Sequence, residues 1–252
     1  MKIISSNIRF DNPADGLNAW PNRKIFLSRL LNKYKPDVIG TQEGRQLQIK
    51  ELSFLLKDKK LVESHRSWIA ERMYPCLFVN ESTEVIESFD LWLSNTPEVP
   101  GTKLDSSAFP RLATIAKVLW KGNLVLLANM HLDHTLDEVR EDQINIFINE
   151  IKKLEFDGPL IVCGDFNSRV EKVVYKKILN DLSLIDPWKS HSLSEETSFH
   201  QFKGTLEIGH RIDWILHSKH FVCNEIKLLK ESDNGLFPSD HYPIFCDIIL
   251  KN

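Results

Sequence analysis

Six short polar clusters sit where apolar runs begin or end. They are Asn7, Thr41-Gln42-Glu43, Asn129-Met130-His131-Leu132-Asp133-His134, Gly164-Asp165-Phe166-Asn167, Arg211-Ile212-Asp213-Trp214 and Ser239-Asp240-His241-Tyr242-Pro243. Between them they hold the residue types that metal-assisted attack on phosphorus requires. Mg²⁺ is a hard cation, held by one or two carboxylates and completed by water and substrate phosphate. Glu43 and Asp240 are suitable ligands, and Asn7 can add a neutral carbonyl oxygen. Asp165 can orient and deprotonate a water for in-line attack. Asn167 and His131 can donate hydrogen bonds to charge developing on phosphoryl oxygens. His241, oriented by Asp213, has the base-plus-carboxylate form of hydrolytic sites.

Plainer readings exist for each cluster. Gly-Asp-Phe-Asn is a run of turn formers, and Ser-Asp-His-Tyr-Pro can be a strand-entry loop. Asp213 inside a strand pattern resists that treatment, because an unpaired buried carboxylate is costly and His is its natural partner. Six such features in one chain favour a site over decoration.

The elements that must position these residues alternate along the whole length. Ile3-Ile4 opens a strand ending near Asn7. Helical spacing runs over 23–34, 46–56, 139–154 and 170–179. Strand patterns run over 37–40, 75–79, 89–93, 112–120, 124–129, 159–163, 211–216 and 243–250, with Lys121-Gly122-Asn123 as a hairpin turn. Strand ends are where α/β folds assemble sites. No linker, repeat or composition break divides the chain, so one mixed α/β unit with helices covering sheets is expected.

Composition narrows the class further. The 252 residues are 42% hydrophobic and 27% charged, with a net charge of -3. Disorder and low complexity are excluded by that balance. A general polyanion clamp is disfavoured, although a local phosphate site is not. Four cysteines lack any Cys-x-x-Cys spacing, which points to free thiols in a reducing compartment, the cytoplasm. No signal peptide and no membrane span are read from the apolar runs.

The same six pieces, in the same order, resemble the endonuclease/exonuclease/phosphatase superfamily, whose members include deoxyribonuclease I-like enzymes. The likeness runs from Asn7 past Pro243. Phe10 to Trp20 with Arg23-Lys24, Asp90 to Gly101 and Phe109 to Thr114 further resemble a bacterial group within it. The resemblance implies a four-layer α/β/β/α sandwich of two mainly antiparallel sheets face to face, as one domain over 1–252. It implies Mg²⁺, with Mn²⁺ as substitute, held at Asn7 and Glu43 with Asp240 beside it. Asp165 then positions the attacking water, Asn167 orients it or binds phosphate, His131 contacts the phosphate, and Asp213 and His241 form the catalytic couple. Arg111 is either a phosphate contact or a structural ion-pair residue, and Tyr74 is either a phosphate contact or packing. The implied partner of a monomeric chain is a phosphoester. Nucleic acid is favoured by family breadth, and phospholipids and small phosphate esters are also represented.

Two other readings compete. A dizinc hydrolase of the β-lactamase type needs His-x-His-x-Asp-His, and Asn129 stands where its first His belongs. A catalytically degenerate binding module should have lost a catalytic residue, and none of Asn7, Glu43, Asp165, Asn167, Asp213, Asp240 and His241 is missing. His65, His191, His200, His210, His217 and His220 read as surface or loop residues. Arg9, Arg111 and Arg211 are expected to add positive charge to the site.

Overall fold

The computed structural model describes residues 1–204 and 209–251. Among the described residues, twelve strands form two six-stranded sheets. The first sheet holds β1 (Lys2–Asn7), β2 (Val38–Gly44), β3 (Lys59–Leu61), β4 (Tyr74–Asn80), β11 (Phe221–Leu228) and β12 (Ile244–Leu250), in the order β11-β12-β1-β2-β4-β3. The second holds β5 (Glu84–Trp92), β6 (Leu112–Trp120), β7 (Asn123–His131), β8 (Leu160–Asp165), β9 (Leu184–Ile185) and β10 (Asp213–Ser218), in the order β5-β6-β7-β8-β10-β9. Each sheet has a single parallel pairing at its centre, β1 with β2 and β7 with β8. The remaining ladders are antiparallel, and the fold is that of the deoxyribonuclease I-like sandwich.

Strand alternation builds the layers. In β1, Ile3 faces the other sheet and joins a core with Val38, Leu127, Ile161 and Ile215. Its neighbour Ile4 faces outward and packs with Leu27, Leu30 and Leu31 of α1 (Trp20–Lys33) and with Ile49 and Leu52 of α2 (Gln46–Leu55). Successive strand side chains point to opposite faces, so both sheet faces are apolar. On the far side, Leu126, Ala128 and Val162 pack under Phe147 and Ile148 of α3 (Asp137–Lys153) and Ile178 of α4 (Val173–Asp181). The result is helix, sheet, sheet, helix. A short helix α5 (Pro187–Ser190) completes the set.

The structure shifts several boundaries. Helix α1 begins at Trp20 rather than at 23, because Pro21 occupies its first turn, where the missing N–H costs nothing. The β6–β7 hairpin turns on Lys121 and Gly122 alone, both at positive φ (49° and 80°), as a two-residue inward-twisting turn demands. Asn123 already pairs with Trp120. The pattern missed β3, β9, α5 and β11. In β11, Glu225 and Lys227 occupy the outward face and a bulge interrupts the register between Cys223 and Glu225. All four cysteines are free thiols. Among the described residues no helix is long and apolar enough to cross a membrane.

Candidate active site

Adjacent strand ends converge on one spot. His131 is the register partner of Asp165 across β7 and β8, and Asp165 is the register partner of Asp213 across β8 and β10. Three neighbouring strands therefore place these side chains on one rung and one face. From the opposite sheet, the end of β1 supplies Asn7, whose amide nitrogen donates to Asp165 Oδ2 (2.9 Å) and to Glu43 Oε1 (3.1 Å). Glu43 sits within a bulge in the β2–β4 ladder between Thr41 and Gly44. That bulge frees it from the sheet, and its other oxygen accepts from Phe10 N–H at 3.1 Å.

Local backbone strain accompanies the placement. Arg9 (φ 51°), Glu43 (φ 67°) and Asn167 (φ 46°) adopt the left-handed region, which non-glycine residues enter at a cost that surrounding contacts must offset. Asn167 N–H closes a turn on Asp165 Oδ1 at 2.9 Å. Gly164 cannot be replaced there, since a Cβ would lie 2.1 Å from the Met130 carbonyl oxygen.

Protonation states follow from burial and neighbours. The Asp165 carboxyl is pushed up to about 7, first by burial and then by the charge of Asp213. His241 goes the other way. Burial opposes its charge, but Asp213 overcomes it and raises the imidazolium to about 10. Its Nδ1–H thus donates to Asp213 Oδ2 at 2.8 Å. His131 is pushed well below its usual value by burial and by Arg111, and is neutral. Arg111 Nη1 lies 2.9 Å from His131 Nδ1 and 3.2 Å from its Nε2, and Asp165 Oδ2 is 3.5 Å from Nε2. Asn167 Nδ2 lies 3.1 Å from that same Nε2.

A cavity of about 640 Å³ opens over this cluster, lined by Glu43, Arg111, His131, Asn167 and Asp240 among others. Arg111 is 5% exposed. It also reaches His134 Nδ1 at 3.3 Å, and its Nε has no hydrogen-bond partner among the described residues. A buried guanidinium facing imidazoles rather than a carboxylate has donor capacity to spare for an anion.

Metal-binding capacity is local and oxygen-rich. Ligand atoms of Glu43, His131 and Asp165 all lie within 4.8 Å of one another, as do those of Asp165, Asp213 and His241. The buried, partly frustrated carboxylate of Asp165 next to Glu43 fits a hard divalent cation that would offset their charge. Asp240 lines the same cavity but stands outside both groups. Its Oδ1 accepts from Ser239 Oγ (3.2 Å), and its Oδ2 is 3.9 Å from Arg9 Nε.

The Asn7 side-chain oxygen accepts from Arg9 N–H at 2.9 Å and keeps a second lone pair, while the amide nitrogen bridges two carboxylates. Other expectations are corrected. Tyr74 is fully buried, and its hydroxyl accepts from Ile69 N–H at 2.9 Å. Its ring packs edge-on against Trp68 and Trp92, so it is a packing residue, and the adjacent Met73 reaches the cavity instead. Arg211 is fully buried and pairs with Asp186 (2.6 Å) and Glu195 (3.3 Å), and so lends the site no free charge. His200 and His217 are buried rather than surface residues. Asn129 lies fully buried between the sheets, donating to the Thr41 and Cys76 carbonyls (2.9 and 2.8 Å). The position a dizinc site would need is thus a structural cross-link.

The residues that sequence reasoning missed line the rest of the cavity: Phe10, Arg45, Arg72, Phe109 and Phe199. Phe199 packs on His241 with ring centroids 4.8 Å apart. None belongs to a polar cluster at a strand end, and only their neighbours in space mark them.

Comparison with known proteins agrees with this fold. The profile of the Endonuclease/Exonuclease/phosphatase family matches residues 4–241. An endonuclease/exonuclease/phosphatase from Bacteroides vulgatus superposes with a TM-score of 0.90 at 26% identity, covering 99% of this chain and 98% of that one. A mannosyl-6-phosphatase from Bacteroides thetaiotaomicron superposes with a TM-score of 0.90 at 23% identity, covering 99% and 100%. Human Nocturnin is 33% identical over 103 residues, which span 35% of this chain and 24% of Nocturnin. The match thus covers about a quarter of that relative's length.

Proposed function

This chain belongs to the endonuclease/exonuclease/phosphatase family, and from that premise we propose that it is a Mg²⁺- or Mn²⁺-dependent hydrolase of phosphoesters. One observation carries the reading. Asp165, poised at about 7, contacts Asn7, His131 and Asn167 while a protonated His241 stands 3.9 Å away. A base and an acid with separated protonation behaviour in one buried cluster is the arrangement that acid–base hydrolysis uses.

The roles follow from the atoms. Asp165 accepts the proton of the attacking water. His241, charged and held by Asp213, donates a hydrogen bond to a phosphoryl or leaving oxygen. Neutral His131 offers its ring N–H, and Asn167 its amide, to the phosphate. Arg111 supplies fixed positive charge behind them. Glu43 is the carboxylate assigned to the cation, with Asp240 at its flank. When bound, the divalent ion neutralises phosphate charge and lowers the pKa of coordinated water.

The substrate this cavity supports best is a compact phosphate ester. Its cations gather inside one 640 Å³ space on a chain of net charge -3, which does not favour the long basic track of a polynucleotide groove. The phosphatase of similar fold supports the same choice. A second reading, the end of a single strand of nucleic acid, is favoured by the exposed rings of Phe109 (46%) and Phe199 (37%), which offer stacking faces. A panel of small phosphomonoesters, single- and double-stranded DNA, RNA and lipid phosphodiesters at fixed Mg²⁺ tests the proposal. Hydrolysis lost in Asp165→Ala supports it. Hydrolysis of none of them sinks it.

A further inference from the structure

The cavity over the candidate site is larger than one phosphate requires, and its outer wall is basic. Arg9, Arg45, Arg72 and Arg111 all line it. Arg111 is buried at the inner end with His131 and His134. The other three are less buried and differ in how their charge is answered.

Arg9 is satisfied by Asp15 through two contacts at 3.0 and 3.1 Å. Arg45 donates to the Asp11 carbonyl at 3.5 Å and pairs with Glu71 at 3.3 Å, a carboxylate side chain that is 83% exposed. An ion pair so open to water is worth little and is readily exchanged. The Arg45 Nε is buried with no partner among the described residues. Arg72 has no ion pair among the described residues, and only its backbone N–H is engaged, with Ile69 O. Two guanidiniums thus line the cavity, and one loosely held carboxylate pairs with Arg45 alone. Arg9 and Arg45 also sit over the Phe10 ring, 4.4 and 5.0 Å from its centroid. Such stacking orders a guanidinium before any ligand arrives.

We propose that Arg45 and Arg72 form a second anion subsite, which takes a second phosphate carried on the leaving portion of a compact substrate. The proposal rests on the functional reading above, which places the scissile phosphate at Asp165, His131 and Arg111. The substrate class is then a small bisphosphorylated ester rather than a simple monoester. Guanidiniums bind phosphate through paired charge-assisted hydrogen bonds, which gives the geometry specificity as well as strength.

Two assays test the subsite. In the first, kcat/KM for phosphate release is compared between glucose 1,6-bisphosphate and glucose 6-phosphate at fixed Mg²⁺. The bisphosphate should be preferred by about tenfold or more, and the preference should shrink to within about threefold in Arg45→Gln/Arg72→Gln. Glu71→Gln, which releases Arg45, should widen it. Equal values in the unaltered protein, an unchanged preference in the double variant, or a stronger preference for a short oligonucleotide would overturn the assignment. The second assay uses calorimetric binding of the same two sugars to the Asp165→Asn protein with Mg²⁺. Tighter binding of the bisphosphate without turnover in the unaltered protein would keep the subsite and remove the hydrolase reading. Equal binding with normal turnover of the monoester would remove the subsite alone.

Discussion

Asp213 Oδ2 and His241 Nδ1 stand 2.8 Å apart, although 28 residues and a change of sheet separate them. Asp213 starts β10 of one sheet, while His241 precedes β12 of the other. The contact therefore ties the two sheets together beneath the cavity. It also sets the charge of His241, because burial alone would drive the imidazole neutral and Asp213 holds it at about 10.

Replacing Asp213 by Asn removes that hold while keeping the shape. The imidazole should then titrate at least about two pH units lower, as burial prevails. NMR of the ring protons against pH measures this directly. Activity should fall by about 10²-fold, because the hydrogen-bond donor loses its charge near neutrality. An unmoved titration would mean that Asp213 does not control His241.

Arg111 and Tyr74 separate in the structure and should separate in kinetics. Arg111→Ala removes the buried guanidinium that faces the cavity, and kcat/KM should drop by about 10² or more. Tyr74→Phe deletes only the hydroxyl that accepts from Ile69 N–H. It should cost about 1 kcal/mol of stability and leave kcat within about twofold. Steady-state kinetics beside a urea unfolding curve reads both.

Arg23 is a buried clamp beneath the site. Its guanidinium donates to the carbonyls of Ile8 (2.5 Å), Arg9 (2.7 Å), Asn18 (2.8 Å) and Pro238 (3.0 Å). One side chain thus joins the end of the strand that carries Asn7 to the loop that carries Asp240 and His241. Burial lowers it to about 10, so it stays charged at neutral pH. Arg23→Met strands these carbonyls and should destabilise the fold by about 3 kcal/mol. The midpoint of chemical denaturation checks it.

His200 gives the pH dependence of stability a specific sign. Burial lowers it to about 4 from an ordinary 6.5, and its ring stacks on Tyr242 with centroids 3.9 Å apart. The unfolded chain binds this proton below about 6.5, while the folded protein resists it down to about 4. Stability from this group is therefore complete above 6.5 and is lost as pH falls through that window, by an amount of order 2–3 kcal/mol. His200→Phe should flatten the stability curve between pH 4 and 6.5, as read by denaturation midpoints across that range.

Much of this was legible in the chain because the site grows from strand ends. Asn7, Glu43, His131, Asp165, Asp213 and His241 each follow or open an apolar run, and a polar residue there can only face a shared edge. The outer wall was not legible. Arg45 and Arg72 are arginines among many, and their meaning comes from Glu71, Phe10 and a cavity that only the folded chain creates. Tyr74 and Arg211 carry the right chemistry, but distant partners consume it: Ile69 N–H for one, Asp186 and Glu195 for the other. Strand β11 escaped notice because its outward face is charged, which blurs the apolar run that marks a central strand.

The central claim is that divalent cation and Asp165 together hydrolyse a phosphoester. Its most direct test is phosphate release from the best substrate of the panel, before and after EDTA, with Mg²⁺ or Mn²⁺ added back. Release should be lost with EDTA and should recover with either ion. Asp165→Ala and Glu43→Ala should stay at least about 10²-fold below the unaltered protein in saturating metal. Undiminished release in EDTA, or full activity in both variants, would contradict it.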